Sequence, residues 1–167
     1  AKLPELSLKE LQQVSGIGPV KAIQIKAAFE LNRRVSVTKS ESVIIKNAKD
    51  AYSYASCKLL SNDKEQFMVI LLNSKNRIIK DEIVSVGTLN ASIINPREVF
   101  KSAIKESANT VILVHNHPSG DPTPSEEDIS ITNTLVEAGE LLGIKVLDHV
   151  IIGKDAYYSF AKEGKIN

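Results

Sequence analysis

The sequence predicts an α/β (α+β) fold, a sheet flanked by helices and preceded by a small helical unit. Three observations lead there. From residue 43 onward, strand-length apolar or alternating stretches interleave with stretches of helical period, the pattern of a sheet packed against helices. Before residue 35, two short helical stretches flank a Gly-rich turn. Between these parts, residues 35–42 (VSVTKSES) form a polar, β-branched run without helical period, which reads as a linker. The expected organisation is residues 1–34 as a helical unit, 35–42 as linker and 43–167 as the main domain.

Each element has a local reason. Ser7 with Glu10 three residues on is a capping box that opens a short first helix. Gly16-Ile17-Gly18 makes a tight turn, and Pro19 suits the first position of a second helix, on which Val20, Ile23, Ala27 and Leu31 follow at helical spacing. Val43–Leu60 reads as a helix with Ile44, Ala48, Ala51, Ala55 and Leu59 on one face. Gln66–Asn73 is an apolar strand, Ser74–Asn76 a turn, Arg77–Val86 a strand, and Gly87–Ile94 is expected to hold another. Asn95 and Pro96 open a helix with Val99, Phe100, Ala103 and Ile104 inward. Thr110–His115 is a strand of the kind buried on both faces. After the Pro/Gly loop His117–Pro124, Ser125 caps a helix that carries Ile131, Leu135, Ala138 and Leu142 and stops at Gly143. Ile144–Ile152 and Ala156–Phe160 read as closing strands.

Composition narrows the function classes. A chain of 167 residues, 43% hydrophobic and 25% charged, is an ordinary globular length and balance rather than a disordered one. Lys and Arg (21) nearly cancel Asp and Glu (20), but residues 1–34 carry +3 and residues 35–167 carry −2. The single cysteine, Cys57, excludes an internal disulfide framework and a Cys-cluster metal site, and we expect it packed as a small hydrophobe. Only His115, His117 and His149 can supply imidazole. No apolar run has transmembrane length, and Lys2, Glu5 and Lys9 break any secretory pattern, so a cytoplasmic location without a membrane partner is expected.

The informative segment is Val114-His115-Asn116-His117-Pro118 followed by Ser125-Glu126-Glu127-Asp128. Residues i and i+2 of a strand project from one face roughly 6.5–7 Å apart, so two imidazoles at that spacing can converge on one ion. Asp128 lies in the first turn of the capped helix, which the loop can fold back over the strand end. Two His nitrogens and a carboxylate oxygen leave a fourth position open, the layout of a catalytic zinc site. Read singly, the histidines are loop residues, and Ser125 with Asp128 is an ordinary capping box. Their joint occurrence after an apolar strand favours the metal reading.

The string His115-x-His117, seven residues, Ser125-x-x-Asp128 resembles the JAMM motif of the MPN-plus zinc metalloproteases. The longer match, from Pro96-Arg97-Glu98-Val99-Phe100 through HNHPSGDPTPSEED to Leu147-Asp148-His149, resembles the RadC branch of that family and covers nearly all of residues 42–164. The resemblance implies an MPN/JAMM-like, cytidine-deaminase-like sandwich that binds Zn2+ through His115, His117 and Asp128. It implies an oxyanion-stabilising role for Ser125, direct or through the ligand shell, and an upstream glutamate as general base. Glu65, just before the strand Gln66–Asn73, is the first candidate, with Glu82 and Glu98 as alternatives. His149 reads as a hydrogen-bonded structural residue rather than a fourth ligand. MPN-type domains often pair, so a homodimer is expected, and RadC-like chains usually extend upstream of the hairpin, so we expect residues before Ala1.

Leu11-x-x-Val14-x-Gly16-Ile17-Gly18-x-x-x-Ala22-x-x-Ile25 resembles a helix-hairpin-helix, which grips nucleic-acid backbone without reading sequence. Gly16 and Gly18 let backbone N–H groups approach a phosphate, and Lys21 and Lys26 add cations. The competing reading is a small packing hairpin. The expected function is a zinc-dependent hydrolase that cleaves an amide bond in a peptide or protein substrate. The alternatives are a DNA-binding, repair-associated protein whose metal site is structural or serves another reaction, and a non-catalytic scaffold, against which all three ligand positions speak.

Overall fold

The structure, a computed structural model, describes residues 6–38, 43–59, 64–87 and 94–166; in the helix ending at Thr38, side chains are described as far as Leu31. The chain divides into two compact units, Ala1–Ser40 and Glu41–Asn167.

In the first unit, helix α1 (Leu8–Gln12) starts at Ser7, whose side chain accepts the Glu10 N–H while the Glu10 carboxylate accepts the Ser7 N–H. Gly16, at φ 84°, turns the chain, and helix α2 (Pro19–Thr38) begins at the proline. Leu11 and Ala22 are fully buried, whereas Val20, Ile23 and Leu31 are exposed. The contact face of α2 therefore runs through Ala22 rather than along the expected stripe. The helix also continues through Thr38, so residues 35–38 of the expected linker are helical; residues 39–42 lie outside the described residues.

The second unit is a mixed five-stranded sheet between helices. Its elements are α3 (Ala48–Leu59), β1 (Gln66–Leu72), β2 (Ile78–Val86), α4 (Pro96–Lys105), β3 (Thr110–Asn116), α5 (Glu126–Leu142), β4 (Lys145–Ile152) and β5 (Tyr157–Ser159). The strand order is β2-β1-β3-β4-β5, with β3 and β4 parallel and the other neighbours antiparallel. The parallel pair needs a crossover, which α5 supplies. Asn95 caps α4 ahead of Pro96, and Gly143, left-handed at φ 67°, ends α5. The strand expected in Gly87–Ile94 falls on residues 88–93, outside the described residues.

Ile104 of α4 and Leu142 of α5, expected to face inward, are exposed, and two further expectations are corrected here. The helix expected from Val43 starts at Ala48, because Ile44 forms an antiparallel bridge with Arg77 and Ile45 donates to the Asn76 carbonyl at 2.9 Å. An extended pairing distant in sequence outcompetes local helical period at those two isoleucines. Cys57 is exposed rather than packed, its thiol directed at the Ser53 carbonyl 3.7 Å away.

Alternation along the central strands feeds two separate cores. Phe67, Val69, Leu71, Val111 and Leu113 pack against Val99, Phe100 and Ala103 of α4 and Ile131 and Leu135 of α5. Met68, Ile70, Leu72, Ile112 and Val114 pack with Ala51, Ala55 and Leu59 of α3. Each fully buried large apolar side chain contributes on the order of 1.5–3 kcal/mol relative to exposure. Covered on both faces, β3 is a rigid base for whatever its C-terminal end carries. The register slips once in β4: Val146 opposes Val111 but Asp148 opposes Ile112. That bulge puts His149 beside Val146 on the α4–α5 side, and Asp148 on the α3 side.

Candidate metal centre

The C-terminal end of β3 holds His115 and His117 two residues apart, with their rings 4.8 Å between centroids. His115 lies deep, paired with Phe67 of β1 and Ile151 of β4, and is fully buried. His117 begins the loop to α5, where its N–H donates to the Ile152 carbonyl at 2.9 Å. Gly120, at φ 87°, turns that loop, and the Lys154 N–H donates to its carbonyl at 2.9 Å. The loop is thereby pinned to the end of β4. The approach is so close that a Cβ at Gly153 would stand 2.4 Å from the Gly120 carbonyl oxygen.

Helix α5 delivers the third group. Ser125 Oγ accepts the Asp128 N–H at 3.1 Å, while Asp128 Oδ2 accepts both the Ser125 N–H and the Ser125 hydroxyl at 2.7 Å. The capping box that starts the helix thus also aims the Asp128 carboxylate. Its Oδ1 lies 3.1 Å from His115 Nε2 and its Oδ2 3.4 Å from His117 Nε2, and the two Nε2 atoms are 2.9 Å apart. Glu65, just before β1, closes the group with Oε1 3.9 Å from His115 Nε2 and 3.8 Å from His117 Nε2. One ligand atom from each of Glu65, His115, His117 and Asp128 lies within 4.8 Å of all the others.

The separations fit a shared cation. Donors ~2.0–2.1 Å from a tetrahedral zinc stand about 3.3 Å from one another, close to the 2.9, 3.1 and 3.4 Å found among His115, His117 and Asp128. Glu65 stands farther off, where a water held by the ion would lie within its reach. His117 Nδ1 bonds the Asp121 carbonyl at 2.7 Å, which can only accept, so Nδ1 carries the proton and a neutral ring has its lone pair on Nε2. His115 Nδ1 is engaged by His149 Nε2 at 2.8 Å.

Charge in the cluster is unequally shared. Burial raises the Asp128 carboxyl, but the two imidazoles beside it, His115 and His117, outweigh burial and hold Asp128 well below the usual carboxylate range. Burial pushes His115 down, against the pull of Asp128. The bond to Asp128 pushes the less buried His117 up. Burial, then the charge of His115, keeps His149 well below the ordinary histidine value.

The structure brings Glu65, Ser125, His115, His117 and Asp128 into one cluster. It leaves the two alternative glutamates elsewhere: Glu82 is held by Ser102 and Lys80, and Glu98 by Arg97. In the first unit, no atom of the described residues beyond the chain neighbours lies within 4 Å of a Cβ built at Gly16 or Gly18, while the Lys21 ammonium donates to the Gly16 carbonyl at 2.9 Å. Lys26 lies near enough to Glu10 to lower its carboxyl, a minor effect beside the Ser7 bonds.

Sequence reasoning missed two supporting residues. Asn116, between the histidines, turns its side chain the other way, accepting the Gln66 N–H at 2.9 Å and donating to the Lys64 carbonyl at 3.2 Å. It thereby clamps the chain on both sides of Glu65. Thr132 stands one turn beyond Asp128 and bonds His149 Nδ1 at 2.6 Å. Its signal was a hydroxyl on the otherwise apolar stripe beside Ile131 and Leu135.

A family model described as a RadC-like JAB domain matches residues 45–165. A UPF0758 protein of Chlorobium chlorochromatii (strain CaD3) is 52% identical over 163 residues, covering 98% of this chain and 73% of the relative. One of Desulforamulus reducens is 50% identical over 165 residues, covering 98% and 73%. One of Methanosarcina mazei is 53% identical over 159 residues, covering 95% and 69%.

Proposed function

The chain belongs to the RadC-like JAB domain family, and from that premise we propose that it is a zinc-dependent hydrolase cleaving an amide bond in a peptide or protein substrate. The observation that carries this reading is the convergence of His115, His117 and Asp128, with the Glu65 carboxylate 3.8–3.9 Å from both imidazoles. Three protein ligands beside an acid–base group outside the ligand shell is the arrangement of a catalytic rather than a structural site.

His115 Nε2, His117 Nε2 and the Asp128 carboxylate would hold the ion. A divalent metal bound there supplies Lewis acidity, acidifying water and polarising a carbonyl. Glu65 Oε1 takes the proton released by the attacking water and passes it to the leaving nitrogen, acting first as general base and then as general acid. Asn116 fixes the backbone that carries Glu65. The Ser125 hydroxyl, already donating to Asp128 Oδ2, serves the reaction by holding that carboxylate in place. The burial of His115 and Asp128 keeps bulk water from the inner side of the site and strengthens every charge interaction there.

Elemental analysis of the purified chain tests the metal, and a peptide library read by mass spectrometry tests the hydrolysis. We expect about one zinc per chain, lost on His115→Ala or Asp128→Ala. Glu65→Gln should keep the zinc while turnover falls about 10²–10⁴-fold. A Glu65→Gln protein with undiminished turnover would remove Glu65 from the mechanism, and a wild-type chain that takes up no divalent ion would remove the metal.

A further inference from the structure

One edge of the His115 ring faces the metal cluster and the other faces a second buried histidine. His115 Nδ1 lies 2.8 Å from His149 Nε2, His149 Nδ1 lies 2.6 Å from Thr132 Oγ1, and Thr132 Oγ1 lies 2.5 Å from the Asp128 carbonyl oxygen. His115, Thr132 and His149 are all at 0% exposure, so solvent does not compete for these bonds.

The direction of each bond follows from the far end. The Asp128 carbonyl can only accept, so the Thr132 hydroxyl spends its single proton there. Thr132 Oγ1 then offers His149 only a lone pair, and His149 Nδ1 carries the proton. A fully buried imidazole with no carboxylate on either ring nitrogen is neutral and has one N–H, which leaves His149 Nε2 as an acceptor. His115 Nδ1 must therefore donate to it. The Nε2 atom of His115, turned toward His117 and Asp128, is left with a bare lone pair.

We propose that His149 and Thr132 are positioning residues that lock His115 in its Nδ1–H tautomer, so that the nitrogen facing the metal cluster is the unprotonated one. The consequence for metal binding rests on the site reading above, while the circuit itself stands on the geometry. It runs from His115 on β3 through His149 on β4 and Thr132 on α5 to the main chain of Asp128, joining the strand-borne ligand to the helix-borne one. Phe160 stacks on the His149 ring at 5.1 Å and Phe67 meets it edge-on at 5.4 Å, which fixes the ring plane. Released from such a lock, a neutral histidine divides its proton between both nitrogens, and the fraction protonated at Nε2 cannot bind an ion.

Thr132→Val removes the hydroxyl at constant shape, and Thr132→Ser restores it. Long-range 1H–15N NMR of the metal-free protein at pH 8 reads which nitrogen of each imidazole is protonated. Zinc titration against a chromophoric chelator reads affinity. We expect His115 to be Nδ1–H in the wild type and in Thr132→Ser, and mixed in Thr132→Val, with zinc affinity about 10–100-fold lower in that variant alone. His115 protonated at Nε2 in the wild type overturns the proposal, and so does a folded Thr132→Val with wild-type zinc affinity and an unchanged His115 spectrum. Should Thr132→Val fail to fold, the wild-type spectrum still decides. A wild type that binds no zinc yet shows the Nδ1–H tautomer defeats the metal reading and leaves the circuit standing.

Discussion

Asp148 precedes His149 by one residue but, because strands alternate, faces the α3 side of the sheet, away from the metal cluster. It is 6% exposed, and its carboxylate accepts the Ser159 hydroxyl at 2.7 Å and the Ala161 N–H at 3.0 Å. Burial raises its pKa, and those hydrogen bonds recover only part of the loss. Just above the unfolded value of ~3.9, the folded state therefore still holds protons that the unfolded chain has released. Stability contributed at this site is present at acid pH and falls as pH rises through that window. Asp148→Asn keeps an acceptor for Ala161, and its amide can donate to Ser159. We expect urea unfolding to show the variant equal to or more stable than the wild type at pH 7, with its relative standing declining toward pH 4. A wild-type advantage that grows with rising pH would contradict this.

At the scale of elements, the loop from His117 to Ser125 and helix α5 set the site, and two glycines separate packing from function. A Cβ at Gly153 would stand 2.4 Å from the Gly120 carbonyl and 2.8 Å from Pro122 Cδ, so the loop must shift, taking with it the Asp121 carbonyl that holds His117 Nδ1. A Cβ at Gly139 would stand 2.5 Å from the Ile144 carbonyl and 3.2 Å from Phe100, far along α5 from Asp128. Each alanine substitution should cost about 1–3 kcal/mol in thermal or urea unfolding. Only Gly153→Ala should also weaken zinc in a chelator titration; equal zinc affinities for the two variants would show that the loop does not set His117. These elements differ in how far they can be read from sequence. Ser125 with Asp128 and Asn95 with Pro96 are local signals, because a cap involves residues at most three apart, and the structure forms both. Ile44 and Ile45 misled, since their partners Arg77 and Asn76 are more than thirty positions away. The clamp of Asn116 on the chain beside Glu65 was hidden for the same reason: it depends on β1 and β3 being neighbours, which no residue of either strand announces.

At the scale of the whole chain, the sheet, both cores and all four groups of the metal cluster belong to residues 45–166. The charge difference read from the sequence runs along the same division, with +3 in residues 1–34 and −2 in the remainder. If chemistry resides in the second unit and contact with nucleic-acid backbone in the first, the two should separate on deletion. Removing residues 1–40 should leave one cooperative unfolding transition and the zinc affinity of the full chain, because no member of either core is lost. The full chain should retard duplex DNA without regard to sequence, with affinity falling steeply between about 50 and 200 mM salt as the entropy gained by releasing condensed counterions shrinks. The deleted chain should not retard it. Retention of DNA binding after the deletion would move that contact away from Gly16, Gly18, Lys21 and Lys26. Binding in the full chain that ignores salt would mean that the hairpin does not grip phosphates. Collapse of the deleted chain into a state that binds apolar dyes would show that residues 45–166 depend on the first unit for their fold.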